Sequence, residues 1–157
     1  MTDVPVPGVR GLDHTADIGL EIQARDLPEL FVRGALGTMW LVLERSVEPS
    51  TREGAAEGEA RSLELVEEDL PMLLRSWLRQ LLFWEETEGF VTVDATLKFV
   101  PAPLCRSPDG QACSLRGEVR GVMDEGSRAR EIKGVTFHGL RVDQGEAGWL
   151  ARVIFDV

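Results

Sequence analysis

The sequence predicts an α+β fold, a two-layer sandwich in which two main helices pack on a mostly antiparallel or mixed sheet of six to seven strands. Two segments carry apolar residues at helical spacing, and each begins with Asp-Leu-Pro, at residues 26–28 and 69–71. Much of the rest alternates apolar and polar residues, the pattern of half-buried strands. With 157 residues and 43% apolar content, the chain is long enough for one sizeable core, and we expect a single domain over residues 1–157.

The first half of the chain reads as strand, helix, loop and strand. Residues 17–24 alternate cleanly and predict a half-buried strand. Asp26 then serves as an N-cap, with Pro28 in the first turn of a helix whose apolar positions extend to Val42. Small, charged and glycine residues predict a loop over 49–61, and residues 62–66 predict a short strand.

The second half begins with the strongest helix and ends in strands. Apolar residues keep helical spacing from Leu70 to Leu82 after the Asp69 cap. From Gly89 onward the period is two, which predicts an antiparallel meander with strands at 91–99, 113–119, 131–142 and 149–157. The segments 123–127 and 143–148 are predicted loops.

Charge and composition limit the classes of partner. The 27 acidic and 17 basic residues give a formal charge of −10, which repels a phosphate backbone, so we expect no DNA binding and only indirect contact with RNA. No apolar run approaches the length of a membrane span, and the N-terminus lacks the pattern of a secretion signal. We therefore expect a cytoplasmic protein without a membrane partner.

A hairpin could bring Cys105 opposite Cys113, but reduced thiols are expected in that compartment.

The sequence lacks the usual motifs of a stand-alone enzyme. It contains no G-x-S-x-G, P-loop, G-x-G-x-x-G or H-E-x-x-H motif, and neither cysteine has an obvious histidine partner. The chain has 2 histidines and no tyrosine, so few side chains suit general base catalysis at neutral pH. These absences favour a binding or helper protein.

Two acidic patches at opposite ends of the chain suggest a metal site. Asp17 begins one predicted strand and Asp156 ends another, so antiparallel pairing would bring both, with the carboxylate of Val157, to one edge of the sheet. Converging carboxylates need a cation, and oxygen ligands suit Ca²⁺, Mg²⁺ or Mn²⁺ better than zinc. The alternative is that Asp13 or Asp17 only caps or turns the chain.

Three further polar residues are candidates for a role beside these patches. His14 is a metal ligand, a base or a turn residue bonded to the backbone, and the last reading is the simplest for a lone histidine. His138 falls in the predicted strand 131–142, where a buried histidine with satisfied hydrogen bonds is expected. Lys133 in the same strand needs either an exposed face or an acidic neighbour.

Three segments together resemble the archease family. They are residues 13–19 (Asp-His-Thr-Ala-Asp-Ile-Gly), residues 131–140 (Glu-Ile-Lys-Gly-Val-Thr-Phe-His-Gly-Leu) and residues 149–157, which end on Asp156 and Val157. They occur in the family's order and span nearly the whole chain. The resemblance implies a non-catalytic protein cofactor of the RNA-splicing ligase, which uses GTP and a divalent metal to join 2′,3′-cyclic phosphate or 3′-phosphate ends to 5′-hydroxyl ends.

The resemblance also implies a function and site residues for this chain. The expected role is to promote guanylylation and multiple turnover of the ligase in tRNA splicing or RNA repair. Asp17, Asp156 and an oxygen of Val157 match the family's metal ligands, calcium among the expected ions, and Lys133 matches its lysine. Asp13, His14 and His138 are expected to support the site or contact the ligase. This chain departs from relatives at Arg79-Gln80 and Ser127-Arg128, where acidic residues and a histidine are common.

Two rival functions stay open from the residues alone. One is a small divalent-metal-dependent hydrolase or phosphatase that uses Asp17 and Asp156. The other is a chaperone for RNA or for a methyltransferase, which the negative charge disfavours for direct RNA contact.

Overall fold

The structure is a computed structural model that describes residues 4–13, 17–45, 58–101, 113–124, 126 and 128–157. Its elements occur in the order ββαβαβββββ. Their bounds are β1 Val9–Asp13, β2 Asp17–Ala24, α1 Leu27–Leu43, β3 Glu59–Glu67, α2 Leu70–Glu88, β4 Phe90–Pro101, β5 Cys113–Met123, β6 Gly134–Val135, β7 Arg141–Gly145 and β8 Gly148–Asp156.

The strands form two separate sheets, and every pairing is antiparallel. The first sheet has the order β1-β2-β8-β6, with β7 also pairing with β8, and the second has the order β3-β5-β4. Both helices contact strands of both sheets. The predicted α+β class with two main helices is confirmed, while the single sheet of six to seven strands is corrected to eight described strands in two sheets.

Both helices begin as the sequence predicts. The Asp26 carboxylate accepts a hydrogen bond from the Glu29 amide, and the Asp69 carboxylate accepts one from the Met72 amide, both at 2.9 Å. Such caps satisfy amides that have no partner within the helix. The second helix extends past the predicted Leu82 to Glu88, and its C-cap is Gly89, whose φ of 72° suits glycine.

One hydrophobic core joins the helices and both sheets. Its largest fully buried side chain belongs to Trp77, and the indole Nε1–H donates to the Phe31 carbonyl of α1 at 2.9 Å. On the first sheet, Ile18, Leu20 and Ile22 face this core from β2. Because side chains alternate along a strand, the other face of the first sheet, here called the outer face, lies away from the helices.

The predicted strand over 131–142 is wrong. Only Gly134–Val135 and Arg141–Gly145 are strands, and the segment between them turns. The Thr136 amide and hydroxyl both donate to the Ile154 carbonyl, the His138 amide donates to the Thr136 hydroxyl, and Gly139 has a φ of 63°. A threonine that bonds its own neighbouring backbone favours a turn over a continued strand.

Other boundaries also differ from the prediction. β1 was not predicted, β3 begins at Glu59 within the predicted loop 49–61, and β7 and β8 leave only Glu146 and Ala147 between them. The alternation along β4 is interrupted by a register shift between Thr92 and Asp94. Cys113 begins β5, while Cys105 lies outside the described residues, so their pairing is untested.

Gly19 is a position where a side chain does not fit. A Cβ there would lie 2.6 Å from Ile154 Cδ1 and 2.8 Å from the Val153 carbonyl oxygen. We expect Gly19→Ala to lower the free energy of unfolding by about 1–3 kcal/mol, because the backbone of β8 has to shift. Urea denaturation measures the change.

Gly134→Ala is the matched control for Gly19→Ala. Gly134 lies in the same sheet, and a Cβ there meets nothing within 4 Å. A Gly19→Ala protein as stable as Gly134→Ala would contradict the crowding inferred between β2 and β8.

Asp124 anchors the segment that follows β5. The Gly126 amide at 2.8 Å and the Arg45 guanidinium hold the pKa of Asp124 below its ordinary value. Its stabilising effect is therefore complete above the ordinary pKa of about 3.9 and is lost as the pH falls through the lower folded value. We expect Asp124→Asn to cost about 1 kcal/mol at pH 7 and progressively less below pH 4.

Unfolding measured from pH 3 to pH 7 tests this dependence. Asp94→Asn is the control, because the Asp94 side chain is about twice as exposed as that of Asp124 and its partner Arg120 is exposed, and such a pair stabilises little. An equal loss in both variants across the range would contradict the role given to Asp124.

Candidate functional site

The pairing of β2 with β8 places Asp17 directly opposite Asp156. Residues directly opposite each other in an antiparallel pair point to the same face of the sheet. Their neighbours Ile18 and Phe155 are also paired and are buried, so the two carboxylates lie on the outer face. The predicted juxtaposition of Asp17 and Asp156 is confirmed.

An apolar patch adjoins the two carboxylates on the outer face. The next paired residues on this face are Gly19 and Ile154, and Leu12 lies opposite Gly19 on β1. Ile154 is only 2% exposed although it does not belong to the main core, since the missing side chain of Gly19 leaves room for it. The carboxylates therefore lie beside a small, close-packed apolar surface.

The third segment of the site reaches the same edge through β6. The Lys133 amide donates to the Asp156 carbonyl at 2.7 Å, and Gly134 pairs with Asp156. Lys133 itself is exposed, which satisfies one of the two conditions predicted for it. Asp17, Asp156 and the backbone of Lys133 thus come together although they are distant in the sequence.

The other predicted site residues are placed less directly. Asp13 pairs with Ile18, so it lies on the face opposite to Asp17 and is exposed. Val157 follows Asp156 and is 38% exposed. His138 is exposed in the turn after Thr136, so the buried histidine expected there is wrong. His14 lies outside the described residues.

Arg75 of α2 holds the turn that follows β6. Its Nε donates to the Val135 carbonyl at 2.8 Å, and its guanidinium lies 3.9 Å from the centre of the Phe137 ring. Burial and the nearby Arg79 lower the pKa of Arg75, while Glu67 opposes them. Phe137 is 61% exposed, so this cation–π contact lies at the surface.

The segment before Lys133 is held by contacts with the C-terminal ends of both helices. The amides of Ala129 and Arg130 donate to the Val42 carbonyl of α1 at 3.0 Å. Arg128 donates to Glu85 of α2 at 2.9 Å; burial raises the pKa of Glu85, and Arg128 opposes that shift. Arg128, one of the positions at which this chain departs from relatives, therefore forms an ion pair with Glu85. Arg79, at the other such position, is exposed on α2.

Asp17 and Asp156 alone supply only part of the ligand set that a hard cation needs. Within the described ranges, no three His, Cys, Asp or Glu side chains lie close enough to hold a metal ion. Two carboxylates directly opposite each other repel, and a cation between them removes that repulsion. Mg²⁺ is commonly held by one or two carboxylates with water, and Ca²⁺ also accepts backbone carbonyls.

Sequence reasoning missed Arg75 and Gly19. A glycine inside a strand indicates close approach of another group, so the Gly19 signal was present in the alternating segment 17–24. Arg75 occupies a partly exposed helical position like many others, and nothing in its local sequence indicates that it bonds to a turn 60 residues away.

The chain is a small α+β protein in which two helices contact two antiparallel sheets. Asp17 and Asp156 form what we call the acidic edge of the first sheet. Comparison with known proteins places the chain in a family. The sequence model of the archease protein family matches residues 10–157. The chain therefore belongs to the archease family.

Individual relatives agree with this assignment. The archease of Archaeoglobus fulgidus is 30% identical over 94% of this chain and 98% of its own length, and that of Thermococcus gammatolerans is 32% identical over 92% and 95%. The solution structure of protein 1598 of Methanobacterium thermoautotrophicum is 30% identical, with a TM-score of 0.72 over 96% of this chain and 99% of that chain.

A more distant solved structure shares the fold. The crystal structure from Thermotoga maritima, described as an archease and a possible chaperone, has a TM-score of 0.51 at 19% identity over 94% of this chain and 96% of that chain.

In the part of our structure that is described, no helix is long and apolar enough to cross a membrane.

We expect Arg75→Ala to loosen the segment beside Asp156. The loss of the bond to Val135 and of the contact with Phe137 frees the turn, so the amides of Lys133 and Thr136 should exchange with solvent roughly tenfold faster. Hydrogen exchange measured by NMR follows these two amides directly.

Arg79→Ala is the control for Arg75→Ala. Arg79 lies one helical turn further along α2 and is exposed. Equal exchange rates in the two variants would show that Arg75 does not hold the turn.

Proposed function

We propose that this chain is a non-catalytic activator of the GTP-dependent RNA-splicing ligase, and that it promotes guanylylation and repeated turnover of that enzyme in tRNA splicing or RNA repair. Membership of the archease family supports the assignment to a helper protein. The observation that carries the proposal is the direct opposition of Asp17 and Asp156, with the backbone of Lys133 bonded to Asp156. At this edge residues meet from the three segments that carry the resemblance to the archease family.

A divalent ion is part of the proposal. Asp17, Asp156 and an oxygen of Val157 would hold Ca²⁺, Mg²⁺ or Mn²⁺, and two carboxylates leave coordination positions for water or for groups of the partner. The ion would supply positive charge at an otherwise acidic edge. Lys133 lies at the same edge and is exposed, so its ammonium is available to an acidic or phosphate group of the partner.

The partner in this proposal is a protein rather than RNA. The net charge of −10 opposes direct contact with an RNA backbone but suits docking on a basic protein that itself binds RNA. The exposed turn with Phe137 and His138 adjoins the acidic edge, so it is included in the proposed contact surface. Arg75 would act as a positioning residue for this turn.

The experiment measures covalent labelling of the cognate ligase by radioactive GTP, with and without this protein. We expect the wild-type chain to accelerate labelling, and Asp17→Asn and Asp156→Asn to reduce the acceleration at least about tenfold, because each removes a metal ligand. Binding of Mn²⁺ to the isolated chain, measured by electron paramagnetic resonance, should weaken in the same variants.

Glu64→Gln is the control, because Glu64 is an exposed carboxylate on the other sheet. An absence of stimulation by the wild-type chain would refute the activator role. Full stimulation by both aspartate variants would leave the activator role intact and refute a role for the proposed metal site in it. Hydrolysis of a generic phosphoester by the chain alone, lost in either variant, would instead support the hydrolase.

A further inference from the structure

The outer face of the first sheet carries a second charged feature, four residues along β8 from Asp156. Here Arg10 of β1, Glu21 of β2, Arg152 of β8 and Arg141 of β7 occupy consecutive register positions across the sheet. We call Arg10, Arg152 and Arg141 the arginine row. At about 3.4 Å per residue, the row lies about 14 Å from the two aspartates.

Arg152 is the central member of the row and has an unsatisfied donor. Its Nε atom is buried and has no hydrogen-bond partner among the described residues. Leu150 and Ile154 flank it on the same face of β8 and are half-buried and buried, so their apolar side chains limit access of water to its stem. A buried donor without an acceptor costs about 1–3 kcal/mol, and more when it is charged.

None of the ion pairs among the described residues includes Arg152. Glu21 lies directly opposite, but its Oε1 accepts a hydrogen bond from Arg10 at 2.8 Å. On the other side Arg141 is directly opposite Arg152, and like charges in such a pair repel. Arg141 has Asp143 at 3.3 Å, but both side chains are more than half exposed, so this ion pair is weak and readily exchanged.

We propose that Arg152 and Arg141 form a binding site for a compact phosphate group. Directly opposite Cβ atoms lie about 5 Å apart, so two guanidinium groups can hold one tetrahedral anion. Guanidinium and phosphate form paired, charge-assisted hydrogen bonds, which would neutralise Arg152 and remove the repulsion between the arginines. The site goes beyond the proposed activator role, and binding of phosphate there requires neither the proposed metal site nor the ligase.

We expect a compact ligand because the arginine row is short and the chain around it is acidic. The chain as a whole has a net charge of −10, so a long polyanion meets repulsion beyond the row. At physiological ionic strength this repulsion is screened over about 8 Å, and the local arginines dominate for a ligand of one to three phosphates.

Titration of the isolated chain with inorganic pyrophosphate tests the site at physiological salt. Calorimetry gives the affinity, and the side-chain Nε–H signal of Arg152 in NMR spectra gives the location. We expect that signal to shift, and Arg152→Gln and Arg141→Gln each to weaken binding about tenfold or more. Arg141 is exposed, so the second variant tests the site without disturbing the core.

Arg116→Gln is the matched control. Arg116 lies directly opposite Lys98 on the second sheet, so it too faces a like charge, but it is exposed and has Glu64 at 3.4 Å. Its replacement should leave pyrophosphate binding unchanged within about twofold. An equal loss in Arg116→Gln would overturn the proposal, because binding would then depend on overall charge.

Further titrations separate the sources of the phosphate. Binding of pyrophosphate and GTP with similar affinity, without binding of guanosine, supports a site for the phosphates alone. If GTP binds more tightly than pyrophosphate and guanosine also binds, the nucleoside contributes to binding, and this result would overturn a site defined by phosphate alone. Binding of an RNA oligonucleotide or an oligoglutamate peptide without binding of pyrophosphate would overturn it too.

Discussion

The pairing of β2 with β8 is the constraint on which the rest of the site depends. Ile18 opposes Phe155 and Leu20 opposes Val153 in the core, and these buried pairs fix the register. A slip of one residue would turn Phe155 to the outer face and Asp156 toward the core, at a cost of several kcal/mol. The positions of Asp17, Asp156, Glu21 and Arg152 on the outer face therefore follow from hydrophobic packing on the opposite face.

The two helices make this packing possible by contacting both sheets. The Trp77 indole bonds to the α1 backbone, so the helices are fixed to each other within the core. The segment between β5 and β6 is bonded to the ends of both helices, and Arg75 holds the turn beyond. Backbone and side-chain bonds to both helices thus hold the segment in which the Lys133 amide bonds to Asp156.

The sequence predicted most of what depends on local chemistry. The Asp26 and Asp69 caps mark both helix starts, and alternation in residues 17–24 and 149–157 gave the faces that bring Asp17 and Asp156 together. Local patterns did not reveal the division into two sheets, which depends on partners distant in sequence. The turn at Thr136 was missed because its hydroxyl competes for the backbone, and Arg75 because its partner is 60 residues away.

The topology of the first sheet also has a consequence for biosynthesis. β8 lies inside the sheet, between β2 on one side and β6 and β7 on the other, yet it is the last of these strands to leave the ribosome. Until then β2 has an unpaired edge, and such edges promote association with other chains. The pairing of β2 with β8 joins residues more than 100 positions apart in the sequence, and such pairing is slow to form. The acidic edge and the arginine row both include residues of β8, so a nascent chain carries neither until β8 has been synthesised.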